Sequence, residues 1–210
     1  MTTDMIVLIG SGGHGKVVLD ALLAGGTSVQ DVRMRDGDRE RIGRLLLGIE
    51  IEGPELDPAL AGLPVHVSIG SCTARARLYG LLAEAGAIPQ TIVHPAAVIA
   101  ASATVEPGSF VAAGAIIGPS ARLGPGVIVN HNAVVDHDCI VGSWCHLSPG
   151  AILGGAVRIG EGTLVGAGAT VLPGLEVGAN AVIGAGAVVT RNVPPGETWL
   201  GIPASPSVGR

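Results

Sequence analysis

The sequence predicts a two-part fold: a small α/β domain of the nucleotide-binding type, then an all-β solenoid. Three observations predict it. A Gly10-Ser-Gly-Gly-His-Gly15 loop follows an apolar run, a six-residue repeat runs unbroken from Ile99 to Val189, and charge falls sharply between the two. Residues 1–95 carry 19 of the 29 charged side chains, 96–193 carry 8 and the tail 194–210 carries 2. The joint is therefore expected near His94-Pro95.

The first element is Met5-Ile-Val-Leu-Ile9, a short apolar run suited to a buried strand. It leads into the glycine loop and a helical stretch from Lys16 to about Ala24. Strand, G-x-G-x-x-G loop and helix in that order are what a dinucleotide fingerprint requires. The glycines allow close backbone approach, and the helix start offers free N–H groups to a phosphate. A second strand is expected over 28–34, ending at Arg35-Asp36, about where such a fold carries its ribose-binding acid. A third strand is expected over 64–70, a helix over 71–85 and a fourth strand over 90–93. About ninety residues build only half of a doubly wound fold, so a single nucleotide or nucleotide-sugar suits the domain better than NAD or FAD. A plain strand-to-helix turn without ligand is the alternative.

In the second part, stepping by six from Ile99 through Val105 and Val111 to Val189 meets an aliphatic residue at all sixteen positions. The next residue is Gly in eight of them, and the residue four places on is small in fifteen, Leu175 being the exception. One large and one small inward residue every six predicts short strands joined by tight turns, a β-helix signature. Glycine beside the aliphatic is expected to supply conformations that a Cβ hinders. Cys139 and Cys145 fall on the small inward position, which makes them packing residues and not nucleophiles.

Composition agrees. Glycine makes up about 16% of the 210 residues, against about 7% ordinarily, while aromatic residues are 2% and charged residues 14%. The core must be filled by Val, Ile, Leu and Ala. The net charge of -5 without a basic block argues against nucleic acid. Glycine at no strict period of three excludes collagen, and the lack of eighteen consecutive apolar residues argues against a membrane span. Met1-Thr-Thr-Asp4 has no basic segment for a signal peptide. Three cysteines are too few for a disulfide framework or zinc site, so a cytoplasmic protein without metal is expected. A low-charge solenoid wall calls for cover, and hence for a homo-oligomer.

The 10–15 loop, Val67-Ser-Ile-Gly70, His94-Pro95, Val134-Val-Asp-His-Asp138, Cys145-His146 and Gly201-Ile-Pro-Ala204 together resemble one group of hexapeptide-repeat acetyltransferases. It is the family of sialic acid O-acetyltransferases and nucleotide-sugar (UDP-4-amino-sugar, GDP-perosamine) N-acetyltransferases. The resemblance spans Ile6 to Ala204. It implies a Rossmann-like first domain and a left-handed parallel β-helix with three hexapeptides per eighteen-residue coil, or about five coils. It further implies acetyl-CoA as co-substrate, a nucleotide-sugar as acceptor, and a homotrimer with active sites between adjacent β-helices. His137 matches the family's general base and Asp138 the acid that raises its basicity. His146 matches a residue near the thioester, and Gly155, one coil beyond the base, an N–H donor to the thioester oxygen. Ala167 and Trp199 complete the implied CoA contacts, Trp199 over the adenine end unless it packs on the last coil. Gly12, Gly13, His14, Arg35, Asp36 and Gly70 are the implied nucleotide-sugar contacts. Arg35 departs from the acidic pair of some UDP-sugar members, and Ser205 stands where Lys or Arg often follows Pro-Ala.

The chemistry suits these residue types. A sugar ammonium must lose a proton before attacking a thioester, and histidine titrates in the right range to take it. Asp138 would hold its tautomer as the acid of a triad does, and a backbone N–H at the oxyanion contributes about 3 kcal/mol. No metal or covalent enzyme intermediate is required. Two alternatives stay open: transfer to a sugar hydroxyl, and a non-catalytic nucleotide-binding scaffold trimer. His66 reads as structural, His94 as a hinge residue, and His131 as either surface or substrate-adjacent.

Overall fold

The structure, a computed structural model, describes residues 5–207; the Met1-Thr-Thr-Asp4 segment lies outside them. The chain divides into units Met1–Pro95 and Ala96–Arg210.

The first unit holds β1 (Ile6–Ile9), α1 (Gly13–Ala24), β2 (Val32–Arg35), β3 (Leu45–Leu46), β4 (Ile49–Glu52), β5 (Pro64–Val67), α2 (Cys72–Glu84) and β6 (Ile88–Pro89). The sheet order is β3-β4-β2-β1-β5-β6. Only the β3–β4 hairpin is antiparallel. Without β3 this is the third-second-first-fourth-fifth order of a doubly wound half, reversing between β1 and β5. All of β1 is buried at its centre.

Several boundaries differ from the sequence expectation for local reasons. α1 starts inside the glycine loop, at Gly13, because first-turn N–H groups need no intrahelical acceptor; the first bond is Lys16 N–H to the Gly12 carbonyl, 3.0 Å. Ser28 Oγ accepts from Gln30 N–H and turns 29–31 into a 3₁₀ helix, so β2 starts only at Val32. β5 ends at Val67, and Ser68 Oγ donates to the Ile9 and Gly10 carbonyls at 3.0 and 2.7 Å. Of the expected 90–93 strand only Ile92–Val93 forms, and it is not part of this sheet; the strand beside β5 is β6, which the sequence expectation missed. The β3–β4 hairpin went unforeseen because its turn uses Leu47 at φ 47 before Gly48 at φ 87. A turn of that type ordinarily announces itself with Asn-Gly or Asp-Gly.

His66 lies in β5, fully buried, its ring bonded through Nδ1 to the Gln90 carbonyl at 2.9 Å. Burial pushes its pKa down to about 4, outweighing that bond. Unfolded, the ring titrates near 6.5, so its contribution to stability is complete above that pH. It is lost as pH falls towards about 4, by up to about 3 kcal/mol. Urea unfolding as a function of pH should show this acid limb flatten in His66→Gln.

In the second unit every strand from Val98–Ile99 to Val188–Val189 has two residues, the second being the periodic aliphatic. Partners lie eighteen residues apart, as in Ile116↔Val134, so three strands make one coil and sixteen make about five. The first sheet climbs from Phe110–Val111 through Ile128–Val129, His146–Leu147 and Leu164–Val165 to Val182–Ile183. The second contains Val98–Ile99, Ile116–Ile117, Val134–Val135, Ile152–Leu153, Thr170–Val171 and Val188–Val189, and the third contains Ile140–Val141 and Arg158–Ile159. Aliphatics and small inward residues form the core together. Where the small residue is polar it serves a turn: Ser109, Cys139, Cys145 and Thr163 donate to the carbonyls of Gly124, Gly154, Gly160 and Gly178.

The glycines after the aliphatics serve a different end from the one expected. Their φ values are ordinary; what they lack is room. A Cβ on Gly118 would stand 2.8 Å from His137 N, and one on Gly142 2.6 Å from Glu161 N, in the next coil. Left-handed φ falls two places further on, where glycine shares the role with Asn132, Asp138 and Asn180. The tail also corrects the expectation. Thr198–Leu200 pairs with Val182–Ile183 and continues the first sheet. Trp199 is 3% exposed, a core residue of the last coil whose Nε1 donates to Glu197 at 2.7 Å beneath the Arg191 guanidinium. Its indole therefore packs inward, the alternative to a place over adenine. Among the described residues no helix is long and apolar enough to cross a membrane.

Candidate active site

His137 stands on the turn between Val134–Val135 and Ile140–Val141, where the second sheet gives way to the third. Coils on either side hold that turn. Asp138 N–H donates to the Pro119 carbonyl at 2.9 Å, and Ala156 N–H to the His137 carbonyl at 2.8 Å. Asp138 takes a left-handed φ of 59, and its Oδ2 lies 2.8 Å from His137 Nδ1. A carboxylate only accepts, so Nδ1 carries the proton and Nε2 is the basic atom. That end of the ring lies on Gly155, eighteen residues on, where a Cβ would stand 2.5 Å from Cε1 and Nε2. The side chain is 57% exposed. The Asp138 hydrogen bond first, then the charge of Asp136, hold its pKa above the ordinary histidine value. An accessible imidazole with a carboxylate at Nδ1 is built to take a proton at Nε2.

His146 opens a strand of the first sheet, and its Nε2 lies 3.2 Å from Asn130 Nδ2. Asn130 Oδ1 in turn accepts from His131 N–H at 2.9 Å. Asn130 and His131 occupy the turn from first to second sheet, and exposed Ala167 lies on that edge two coils further on. One coil stack therefore carries His137 with Gly155 on one edge and His146 with Asn130 and Ala167 on another. Asn130 escaped sequence reasoning, although a polar residue where half the repeats have glycine was a visible signal. Among the described residues no group of three His, Cys, Asp or Glu is arranged to hold a metal ion.

In the first unit a cleft of about 320 Å³ lies at the C-terminal ends of β1, β2 and β5, where strand order reverses. Gly12, Gly13, His14, Asp36 and Gly70 line it, together with Gly10, Asp38, Arg41, Ser68 and Ile69. Gly15 permits the turn because a Cβ there would run into the Gly10 carbonyl. Asp36 Oδ2 accepts from Ser11 N–H at 2.7 Å and from its hydroxyl at 2.5 Å, and Oδ1 accepts from Asp38 N–H at 2.9 Å. Burial raises the pKa of Asp36, but these bonds and the charge of Arg41 outweigh it and hold the carboxyl below its ordinary range. Arg35 is not in the cleft. It is buried, with Nε donating to the Pro54 carbonyl at 2.8 Å and its Nη groups paired with Glu52 and Asp57. The cationic group at the cleft is instead Arg41, held by Asp38 at 3.0 Å, with Nη1 near enough that a Cβ on Gly12 would be 3.6 Å away. Sequence reasoning missed it within a charge-rich segment. A larger hollow of about 450 Å³, lined by Ala21, Leu22 and Gln90 among others, has no ionisable lining group and so no evident chemistry.

Comparison with known proteins agrees with both units. The bacterial transferase hexapeptide (six repeats) matches residues 120–155 and 156–191, and the PglD N-terminal domain matches residues 5–82. A mutant of GDP-perosamine N-acetyl transferase from Caulobacter crescentus, solved with CoA and GDP-perosamine, is 36% identical over 98% of this chain and 97% of its own, with a TM-score of 0.91. The acetyltransferase domain of PglB from Neisseria gonorrhoeae, solved with acetyl coenzyme A, is 35% identical over 97% of this chain and 99% of its own, with a TM-score of 0.88. WeeI from Acinetobacter baumannii AYE is 25% identical over 97% of this chain and 99% of its own, with a TM-score of 0.86. None of the curated proteins matches the chain. Repeat, N-terminal domain and full-length likeness thus converge, and the chain belongs to the hexapeptide-repeat acetyltransferases, an acyltransferase made of a Rossmann-like domain and a left-handed β-helix.

Proposed function

We propose that the protein transfers acetyl from acetyl-CoA to the amino group of a nucleotide-linked amino sugar, with His137 as general base. The observation that carries this reading is the accessible His137 imidazole, proton on Nδ1 toward Asp138 and basic Nε2 beside Gly155. As the sugar nitrogen forms its bond to the thioester carbon, Nε2 takes the amine proton. The C–S bond then breaks, and the CoA thiolate leaves and is protonated. Gly155 N–H is the donor for the developing oxyanion, and His146 sits at the thioester. The likeness to enzymes solved with CoA, acetyl-CoA and GDP-perosamine supports the substrate classes.

Self-association completes the site. Val98, Ile116 and Ile152 point outward from the second sheet, 60%, 43% and 42% exposed, beside the edge that bears His137. An apolar stripe of that kind marks an interface. In a closed trimer the His146 edge of one copy meets the His137 edge of the next, which brings together two edges that one coil stack holds apart.

The 10–15 loop, Asp36 and Arg41 hold the nucleotide. Arg41→Ala is expected to weaken binding of the preferred nucleoside diphosphate about tenfold, the usual loss for one charged hydrogen bond at a part-exposed site. Isothermal titration checks it. The function itself is tested by thermal shift with CoA, UDP, GDP, CMP and NAD, followed by turnover of amino and hydroxyl sugar nucleotides. Stabilisation by CoA and one nucleoside diphosphate, with acetylation of the amine, is the expected result. No response to CoA, or a response to NAD, would sink the reading.

A further inference from the structure

Helix α2 buries Arg75, Leu78, Tyr79 and Leu82, the stripe a helix turns toward the sheet it packs on. Aliphatic residues ordinarily fill such a stripe, and a cation placed in it is costly to desolvate. Arg75 is nevertheless 0% exposed. Its Nη1 donates to two successive carbonyls, Ile69 at 2.9 Å and Gly70 at 3.1 Å. Both residues line the glycine-loop cleft, and both lie between the end of β5 and the start of α2. We propose that Arg75 is a positioning residue for the nucleotide: it fixes the 69–70 wall of the cleft and, through that wall, the glycine loop.

Three residues in a row make the link. Ser68 Oγ donates to the Ile9 and Gly10 carbonyls at 3.0 and 2.7 Å. The Ile69 side chain lies so close to Gly10 that a Cβ there would stand 2.7 Å from Ile69 Cγ1. Arg75 then ties Ile69 and Gly70 to the first turn of α2. A segment between strand and helix has no ladder to set its shape, so bonds of this kind decide it. The planar guanidinium aims its hydrogens in fixed directions, whereas a lysine ammonium turns freely on a flexible stem. Arg75 is not itself in the cleft lining and acts through the two residues it holds. Its role rests on the proposed function: a wall already fixed spares the nucleotide the cost of ordering it.

Arg75→Lys keeps the buried charge but loses the fixed pair of bonds. In the full-length protein the KM for the sugar nucleotide should rise about tenfold, while kcat and the KM for acetyl-CoA hold. Isothermal titration should show the same loss for the nucleoside diphosphate and none for CoA. An arginine that serves folding alone would lower the melting temperature and leave both KM values where they were. A second measurement needs only the wild type. The guanidinium nitrogen signals of Arg75, assigned through the backbone, should shift when the nucleoside diphosphate binds and stay in place with CoA. An unchanged sugar-nucleotide KM in folded Arg75→Lys overturns the proposal. So does a guanidinium signal that ignores a bound nucleotide, even if the variant fails to fold. If none of GDP, UDP and CMP binds the wild type, the proposed function falls and this role with it; a nucleotide that binds wild type and variant alike refutes Arg75 alone.

Discussion

If His137 is the general base of the proposed reaction, His137→Ala is expected to lower turnover of acetyl-CoA and the amino-sugar nucleotide by a factor of about 10² or more, the usual weight of a positioned general base. Its melting temperature should stay close to that of the parent, because the ring is exposed and outside the solenoid core. Near-normal turnover in this variant would remove His137 from the mechanism. The pH dependence carries a second signature. Only the neutral ring accepts a proton, so kcat/KM falls as pH drops through the His137 pKa, which Asp138 and Asp136 hold above the ordinary value. Asp138→Asn weakens that hold, and the falling limb should move to lower pH while the plateau drops. A limb that stays in place would mean another group is titrating.

Gly155→Ala should damage catalysis while sparing the fold. The added methyl would stand 2.5 Å from Cε1 and Nε2 of His137, so the ring has to give way. The exposed ring can swing outward, and Gly155 has no left-handed φ to strain. Displacing a reacting group by about 1 Å costs on the order of 10²-fold in rate, and that is the loss expected in kcat. Gly142→Ala provides the contrast. Its methyl meets backbone in the next coil, Glu161 N at 2.6 Å, where nothing can swing aside. It should lower stability by about 1–3 kcal/mol. Kinetics and melting of the two variants side by side distinguish them. Equal losses of stability would mean that Gly155 is merely another packing glycine.

The candidate site was legible where function is local along the chain. His137 and Asp138 are neighbours in sequence, and the turn that joins them recurs at every corner of the solenoid. Gly155 lies one coil further on, at an offset the repeat itself supplies. The glycine loop announced the cleft, and Gly12, Gly13, His14, Asp36 and Gly70 line it. Side chains that choose between distant partners were not legible. Arg35 sits next to Asp36, yet it turns away from the cleft because the Pro54 carbonyl, Glu52 and Asp57 satisfy it more completely. Arg41 takes the exposed place over the loop because Asp38 holds it there.

Periodicity alone dictated the strand register and the inward set, since a strict step of six admits one way to bury its aliphatics, while the eighteen-residue coil was implied by the family resemblance and is seen in the strand pairing. It also located Cys139 and Cys145 in the packing. Stacking of the coils decided the rest. It set the fit of Gly118 and Gly142 against the next turn, the burial of Trp199 at the end of the core, and the meeting of Asn130 with His146 sixteen residues apart. A repeat is a property of neighbours along the chain, and it repeats whatever side chains it carries. Which polar groups meet depends on the spacing between stacked turns and on competition among nearby partners, and these exist only once the chain has closed on itself.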